Sequence, residues 1–308
     1  MEKVFTASWV AIRHTTEAAA KNQRLNPIWR DIEAHATSQH SMLRFTKMNG
    51  AGNDFVMVDN RDLDQTLDPG TIARLCDRHR GIGADGLLAV EPARNGADYR
   101  MRYYNADGGE AEMCGNGARC FARYAGRLAG KADAVSFETL AGVITARLLD
   151  PLVRVEMSPP GELVLGTKIS VDGRELIVHI INTGVPHAVV PVESTGKVDV
   201  CGLGAAIRFH PHFAPRGTNA NFIEVQAPAR LAIRTYERGV EGETLACGTG
   251  VCAAALVHSA LSGAASPIEV RVQGGEILQV GFDRVGAGFQ NVTLTGPADF
   301  VFEGTISL

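Results

Sequence analysis

The sequence contains one stretch twice, and both copies end in the same glycine-rich cysteine motif. The first copy covers residues 102–117 and ends in Cys114-Gly-Asn-Gly, and the second covers residues 234–250 and ends in Cys247-Gly-Thr-Gly. With one residue inserted in the second copy, the aligned pairs include Arg102 with Arg234, Tyr104 with Tyr236 and Glu110 with Glu243. The duplication predicts two similar half-molecules, each with a cysteine where a loop enters a helix.

An apolar helical pattern follows each copy, over residues 118–128 and 251–261. The second pattern is rich in alanine and has no polar face, and a helix that is apolar all round is buried. The first pattern carries Arg119, Arg123 and Arg127 on one stripe, which predicts a side that faces solvent.

Short segments of alternating apolar and polar residues, typical of β-strands, surround both helical patterns. They recur between residues 131 and 235 and again after Gly263. This order predicts an α+β fold with two pseudo-symmetric domains. Each domain is expected to be a curled, mostly antiparallel, barrel-like sheet wrapped around a central helix.

A cluster of proline and glycine at residues 158–161 separates the two copies and predicts a domain boundary. We expect a poorly packed N-terminal extension over residues 1–41, a first domain over 42–158 and a second over 159–296. The last strand, at about 297–308, is a candidate to return to the first domain.

Net charge, apolar runs and cysteine content indicate which partners and which cellular compartment to expect. A formal charge of −4 over 308 residues gives no reason to expect nucleic acid or a membrane surface. No apolar run approaches the roughly 20 residues that span a bilayer, and the first residues lack the pattern of a secretory signal. Six cysteines in 308 residues, without dense spacing, are typical of a reducing compartment rather than a disulfide scaffold. We therefore expect a cytoplasmic protein.

The position of the repeated cysteines at predicted helix starts bears on their chemistry. A free thiol has a pKa of about 8.5, and the unpaired N–H groups at a helix N-terminus lower that pKa. Glycines beside each cysteine let the backbone approach a ligand, so that its N–H groups can bind a carboxylate or enolate oxygen. Two such elements in matching halves predict a pair of thiols that face one substrate from opposite sides.

The motifs around the two cysteines resemble those of the diaminopimelate epimerase family. The resemblance covers roughly residues 43–308 and rests on Asn49-Gly-Ala-Gly-Asn-Asp-Phe55, Asn105-Ala-Asp-Gly108, Cys114-Gly-Asn-Gly-Ala-Arg119, Arg216-Gly-Thr-Asn219 and Tyr236-Glu-Arg-Gly239 with Ala246-Cys-Gly-Thr-Gly250. It implies a homodimeric, cofactor-independent isomerase that interconverts LL- and meso-diaminopimelate in lysine and peptidoglycan precursor biosynthesis. It also implies the fold of that family.

The chemistry of racemisation agrees with this resemblance. A proton must leave one face of the α-carbon and another must arrive at the opposite face, so two acid/base groups are needed. Cys114 and Cys247 are the predicted pair. The backbone N–H groups of Gly115, Asn116, Gly248 and Thr249 are the natural donors to the α-carboxylate.

Further site residues are implied by the resemblance alone. The substrate contacts are Asn53, Asn105, Asn219, Glu237 and Arg238, a set that can accept hydrogen bonds from an ammonium and donate to a carboxylate. His187 and Glu237 match residues that tune the thiol pKa values. Two positions depart from the family pattern. Gly86 stands where many members have glutamine, and Val185 stands where many have asparagine.

Two other functions are alternatives to the epimerisation of diaminopimelate. A proline or hydroxyproline racemase uses the same two-cysteine logic, but its first motif usually reads Cys-Gly-His, and Asn116 occupies the place of that histidine. A thiol redox or metal-binding protein is the more distant alternative. The sequence has no Cys-x-x-Cys, and its cysteine spacings are poor zinc signatures, so we predict no metal site. The absence of a cofactor is what the family resemblance implies.

Overall fold

Strand pairing divides the residues described by this computed structural model, 42–130 and 133–308, into two similar halves. The predicted extension over residues 1–41 lies outside the described residues. The first half consists of β1 (Met42–Gly50), β2 (Asn53–Asp59), β3 (Gly86–Pro92), β4 (Tyr99–Asn105), β5 (Ala134–Thr139), β6 (Gly142–Leu149), β7 (Leu152–Glu156) and the last strand, β17 (Asp299–Ser307). These strands pair in the order β17-β1-β2-β3-β4-β5-β6-β7.

The second half repeats this arrangement. It consists of β8 (Val164–Val171), β9 (Arg174–Asn182), β10 (Pro186–Pro191), β11 (Asn219–Ala227), β12 (Arg230–Glu237), β13 (Gly242–Thr244), β14 (Ile268–Arg271), β15 (Ile277–Val285) and β16 (Gly288–Pro297). Eight of them pair in the order β8-β9-β10-β11-β12-β14-β15-β16, while β13 folds back on β12.

The two halves share the same sequence of parallel and antiparallel pairs. In each half the third and fifth pairs along the order are parallel and the remaining pairs are antiparallel. The halves are joined into one sheet where β7 pairs with β16. A parallel pair needs a crossover connection, and helices occupy these connections in both halves.

Four α-helices fill the crossovers: α1 (Pro69–Cys76), α2 (Gly115–Leu128), α3 (Val200–Arg208) and α4 (Gly248–Ser262). Helix α2 contacts β1 to β7, and α4 contacts seven of the eight paired strands of the second half. Each of these two helices therefore lies inside its own curled sheet. This confirms the predicted α+β fold of two pseudo-symmetric units around central helices.

Helix α3 was not predicted from the sequence. Its glycine-containing start, Cys201-Gly-Leu-Gly, has poor intrinsic helix propensity. The Asp199 carboxylate caps the helix by accepting from Gly202 N at 2.9 Å, and the apolar side chains of Val200 and Ile207 are buried. Helix α1 holds the equivalent place in the first half, so the duplication itself was the signal that could have located α3.

The prediction of a solvent-facing arginine stripe on α2 was wrong for its first member. Arg119 is fully buried, whereas Arg123 and Arg127 pair with exposed carboxylates near the helix end. The Arg119 guanidinium donates to two carbonyl oxygens, that of Gly50 at the end of β1 and that of Pro297 at the end of β16. Because both halves meet at this end of the helix, a position that faces solvent in an isolated helix becomes interior.

Candidate active site

The two central helices begin side by side. Cys114 and Cys247 are the residues immediately before α2 and α4, both with extended backbone, as the duplicated motif predicts. The first helical residues, Gly115 and Gly248, are in contact: a Cβ atom built on Gly248 would lie 3.5 Å from the Gly115 Cα. Two helix N-termini, with their unpaired N–H groups, therefore open onto one place.

A cleft of about 1370 Å³ lies at this meeting point. Both cysteines line it, and so do the nine predicted substrate contacts: Asn53, Asn105, Gly115, Asn116, Asn219, Glu237, Arg238, Gly248 and Thr249. These residues come from both halves of the chain, which the fold brings to a single opening. Val185, one of the two departures from the family pattern, also lines the wall.

Burial dominates the acid/base properties of the two thiols. It raises the pKa of Cys114, and the backbone N–H groups of Gly117 and Asn116 lower that pKa less than burial raises it. Burial likewise raises the pKa of Cys247, with a further increase from the Glu237 charge and a decrease from the Thr249 hydroxyl and the Gly250 N–H. The expectation that a helix N-terminus alone would lower these pKa values is therefore corrected: desolvation outweighs it.

Asn116 joins the two halves beneath the cleft. Its amide nitrogen donates to Asn53 Oδ1 at 2.5 Å and to the Ala246 carbonyl at 3.1 Å, immediately before Cys247. Its oxygen accepts from the buried Arg119 guanidinium at 2.8 Å. All the polar atoms of the Asn116 side chain are thus satisfied by protein groups, so this side chain positions the floor of the site.

The duplicated stretches also share one ion pair. Arg102 pairs with Glu110 in the first copy, and Arg234 pairs with Glu243 in the second, with two nitrogen–oxygen distances of 2.6 Å. In each copy the pair ties the strand that leads to the cleft to the segment that precedes the cysteine. The alignment of these residues in the sequence is therefore reproduced in space.

The second half supplies two adjacent charged residues of the cleft wall, Glu237 and Arg238. Asn219 accepts from the Arg238 backbone N–H at 2.8 Å and donates to the Pro186 carbonyl at 2.9 Å, which fixes its amide. Burial raises the pKa of the Glu237 carboxyl, and the Thr244 hydroxyl lowers it. Arg238 and Glu237 thus place one cation and one titratable carboxyl in the same wall.

His187 lies behind the cleft wall and is fully buried. Asn221 donates from its amide nitrogen to the Ala188 carbonyl and contacts His187 Nδ1, both at 3.1 Å, and it accepts from the Thr235 hydroxyl at 3.1 Å. This makes Nδ1 the acceptor and places the proton of the neutral ring on Nε2, which has no hydrogen-bond partner among the described residues. Burial, assisted by the Arg238 charge, lowers the pKa of His187 to about 3.

Sequence reasoning did not identify four residues that shape the site: Asp85, Tyr103, Arg119 and Asn221. Asp85 accepts from the Asn53 amide at 3.0 Å, and Tyr103 lines the cleft beside the predicted contact Asn105. Arg119 and Asn221 lie within the quoted or adjoining motifs, Cys-Gly-Asn-Gly-Ala-Arg and Gly-Thr-Asn-Ala-Asn. Their place in those motifs was the available signal.

None of the helices among the described residues is both long and apolar enough to cross a membrane. Within residues 42–130 and 133–308, no three His, Cys, Asp or Glu side chains converge as ligands of one metal ion would.

Solved structures of other proteins share this fold. A hydroxyproline epimerase from Agrobacterium vitis superposes with a TM-score of 0.64 at 17% identity, covering 88% of this chain and 94% of that chain. A phenazine biosynthesis protein of the PhzF family from Bacillus anthracis gives a TM-score of 0.65 at 18% identity, covering 87% and 100%. At such identities the likeness concerns the fold alone.

Sequence comparison is more specific. The profile described as diaminopimelate epimerase matches residues 45–161 and 179–301. The chain is 44% identical over 278 residues to the diaminopimelate epimerase of Aquifex aeolicus, covering 86% of this chain and 98% of that protein. It is 42% identical over 280 residues to the diaminopimelate epimerase of Aromatoleum aromaticum, covering 86% and 99%. The chain belongs to the diaminopimelate epimerase family.

Proposed function

We propose that this protein interconverts LL- and meso-diaminopimelate without a cofactor, using Cys114 and Cys247 as its two acid/base groups. The observation that carries the proposal is the placement of both cysteines at the adjoining N-termini of two buried helices, in one cleft. Membership of the family supports the choice of substrate.

The proposed reaction needs one thiolate and one thiol at the same time. The thiolate takes the α-proton, so that a C–H bond breaks and an S–H bond forms, and the electron pair passes into the carboxylate as an enediolate. The opposite thiol then returns its own proton to the other face of the carbon. In the reverse direction the two cysteines exchange roles, so neither thiol is permanently the base.

The helix N-termini supply the stabilisation that such a carbanion requires. The N–H groups of Gly115 and Asn116 on one helix, and of Gly248 and Thr249 on the other, lack partners within their own helices. A carboxylate bound between them gains negative charge as the proton leaves, and these donors interact more strongly with that charge than with the ground state. The close contact of Gly115 with Gly248 lets both sets of donors reach one carboxylate.

The remaining polar residues of the cleft fit the second amino-acid group of the substrate. Arg238 can bind a carboxylate, and Glu237 together with the amide oxygens can accept from an ammonium. Proline has only one carboxylate and one amino group, and it would leave part of this polar wall unpaired, which costs binding energy. This favours diaminopimelate over a proline-type substrate.

The proposal is tested by incubating the purified protein with LL-diaminopimelate and no added cofactor, followed by chiral analysis of the products. L-proline and trans-4-hydroxy-L-proline serve as parallel control substrates. We expect meso-diaminopimelate to form and both control substrates to remain unchanged. If the protein converts a proline substrate and does not convert diaminopimelate, the proposed substrate is wrong and the protein is a proline-type racemase.

We also propose a cytoplasmic homodimer and the chain division given by the sequence, residues 42–158 and 159–296 with residues 297–308 returning to the first part. All six cysteines are unpaired, which supports a reducing compartment. Pairing of β17 with β1 supports the return of the last strand to the first part.

The exposed apolar side chains of Val301 and Phe302 on β17 support a dimer contact at this strand. Light scattering of the purified protein measures its mass and so tests whether it is a dimer.

A further inference from the structure

Gly86 has no room for a side chain. A Cβ atom at this position would lie 2.5 Å from the Tyr104 carbonyl oxygen and 2.9 Å from Cε2 of the Tyr103 ring. Gly86 pairs with Asn105 on the neighbouring strand, so the Tyr103 ring takes the space above it at the edge of the cleft. The Tyr103 ring therefore fills volume that a side chain at position 86 would need.

The Tyr103 side chain is held on both sides. Its ring packs edge-on against Phe55, with ring centroids 6.2 Å apart. Its hydroxyl donates to Asn105 Oδ1 at 3.0 Å. Asn105 is an exposed residue at the end of β4, and it lines the cleft. The tyrosine is therefore a fixed donor to one of the residues expected to contact substrate.

This hydrogen bond determines which end of the Asn105 amide is free. An asparagine amide has an accepting oxygen and a nitrogen with two N–H donors. Because the Tyr103 hydroxyl donates to the oxygen, that end of the amide faces Tyr103, and the NH₂ group, which has no hydrogen-bond partner among the described residues, faces away from it. An NH₂ group binds a carboxylate oxygen and repels an ammonium.

We propose that Tyr103 is a positioning residue that turns Asn105 into a hydrogen-bond donor for a carboxylate of the substrate. Its ring occupies the space beside Gly86, where no side chain fits. The inference rests on the proposed function for the identity of the substrate. It assigns to Asn105 a donor role, which its residue type alone leaves open.

The state of the Tyr103 hydroxyl supports this role. Burial raises the pKa of Tyr103, and the nearby Cys114, Glu237 and Asp85 raise it further. The hydroxyl therefore keeps its proton throughout the pH range in which the thiols act. A phenol that stays protonated remains able to donate to the Asn105 oxygen.

The first test compares Tyr103→Phe with Tyr104→Phe. Tyr104 is the adjacent tyrosine, but it is buried outside the cleft with the Arg102 guanidinium 5.2 Å from its ring centroid. Loss of one hydrogen bond predicts that KM for diaminopimelate rises about tenfold in Tyr103→Phe, equivalent to about 1.4 kcal/mol, with kcat within about twofold. Tyr104→Phe is expected to keep the wild-type KM. Equal effects of the two substitutions would contradict the proposal.

A double-mutant cycle separates positioning from general damage. If Tyr103 acts through Asn105, the KM effect of Tyr103→Phe disappears in an Asn105→Ala background. Asn105→Asp distinguishes donor from acceptor, because aspartate repels a carboxylate but attracts an ammonium. We expect Asn105→Asp to raise KM more than Asn105→Ala does. A lower KM in Asn105→Asp than in Asn105→Ala would overturn the donor role.

The inference can fail separately from the proposed function. Absence of diaminopimelate turnover in the wild-type protein would refute the function. The Tyr103–Asn105 hydrogen bond is tested without substrate by the side-chain amide resonances of Asn105 in nitrogen-15 NMR spectra. We expect these resonances to shift in Tyr103→Phe and not in Tyr104→Phe. Unchanged Asn105 resonances in Tyr103→Phe would overturn the positioning role even in an active enzyme.

Discussion

Gly250 lies directly against Asn221, the residue that holds His187 from behind. A Cβ atom at position 250 would be 2.5 Å from Asn221 Oδ1, a distance that no real pair of such atoms adopts. Asn221 cannot move aside, since it is fully buried and bonded to Thr235 and Ala188. The equivalent glycine of the first copy, Gly117, has only ordinary contacts of 3.4 Å or more around the same position.

This difference predicts unequal effects of the same substitution in the two copies. Gly250→Ala should destabilise the protein by about 2 kcal/mol or more, because the methyl group displaces a buried hydrogen-bonded amide. Gly117→Ala should change the free energy of unfolding by less than about 1 kcal/mol. Urea unfolding of both variants measures the two values. Equal values would mean that the second copy relaxes freely around residue 250.

Substitution of either thiol should stop epimerisation. Cys114→Ser and Cys247→Ser each remove one of two required acid/base groups, and we expect kcat to fall by at least about 10³-fold. Cys252→Ala, a buried thiol inside α4, is the matched control and should retain turnover. Chiral analysis and incorporation of solvent deuterium at the α-carbon provide the measurements. Full turnover by either serine variant would rule out the two-thiol mechanism.

The pH dependence of kcat/KM should reflect the burial of the thiols. Burial and the Glu237 charge raise the pKa of both Cys114 and Cys247, so the thiolate form gains population only as pH rises. We expect the acid limb of the profile to lie above the ordinary thiol value of about 8.5.

Removing the carboxylate charge in Glu237→Gln should move this limb to lower pH, because the thiolate is no longer repelled. The measurement is kcat/KM from about pH 6 to about pH 10, since this parameter reports groups of the free enzyme. A limb that stays in place in Glu237→Gln would show that its charge does not reach the thiols.

His187 should make the folded state less stable at acidic pH. Its pKa is lowered to about 3 by burial, so between pH 6.5 and that value the unfolded chain binds a proton that the folded chain excludes. Stability is therefore present above the ordinary histidine pKa and is lost as pH falls. For this one group the loss between pH 7 and pH 5 is about 2 kcal/mol.

His187→Gln should remove this part of the pH dependence, whereas His79→Gln, at an exposed position, should leave it in place. Urea unfolding of the three proteins at both pH values measures the difference. The same loss in His187→Gln as in wild type would show that other groups account for it.

Arg119 should be the arginine of α2 that stability depends on most. Arg119→Met leaves the Asn116 oxygen and the Gly50 and Pro297 carbonyls without their buried donor, and we expect a cost of at least about 2 kcal/mol. Arg127→Met breaks an exposed pair with Glu303 and should cost less than about 1 kcal/mol. Thermal unfolding of the two variants provides the comparison, and similar costs would contradict the structural role of Arg119.

Much of the architecture could be predicted because it follows from local patterns. The duplicated motif placed Cys114 and Cys247 at helix starts, and the alternation of apolar residues indicated sheets around two helices. Helix α3 was not predicted because its glycines lower the helix propensity of the segment, and its stability comes instead from packing on β11 and β12. The burial of Arg119 was not predicted because the carbonyl groups that accept its hydrogen bonds, at Gly50 and Pro297, are remote in sequence.

The sequence by itself determined that two equivalent cysteine motifs exist, that each begins a helix and that the chain has the motifs of its family. Only the tertiary structure decided that Gly115 and Gly248 touch, that His187 lies behind the wall rather than on it, and that Tyr103 occupies the space above Gly86. It also decided that burial raises the thiol pKa values against the effect of the helix N-termini. The physical reason is that desolvation and contact depend on neighbours brought together from distant parts of the chain, whereas helix starts and strand alternation depend on residues a few positions apart.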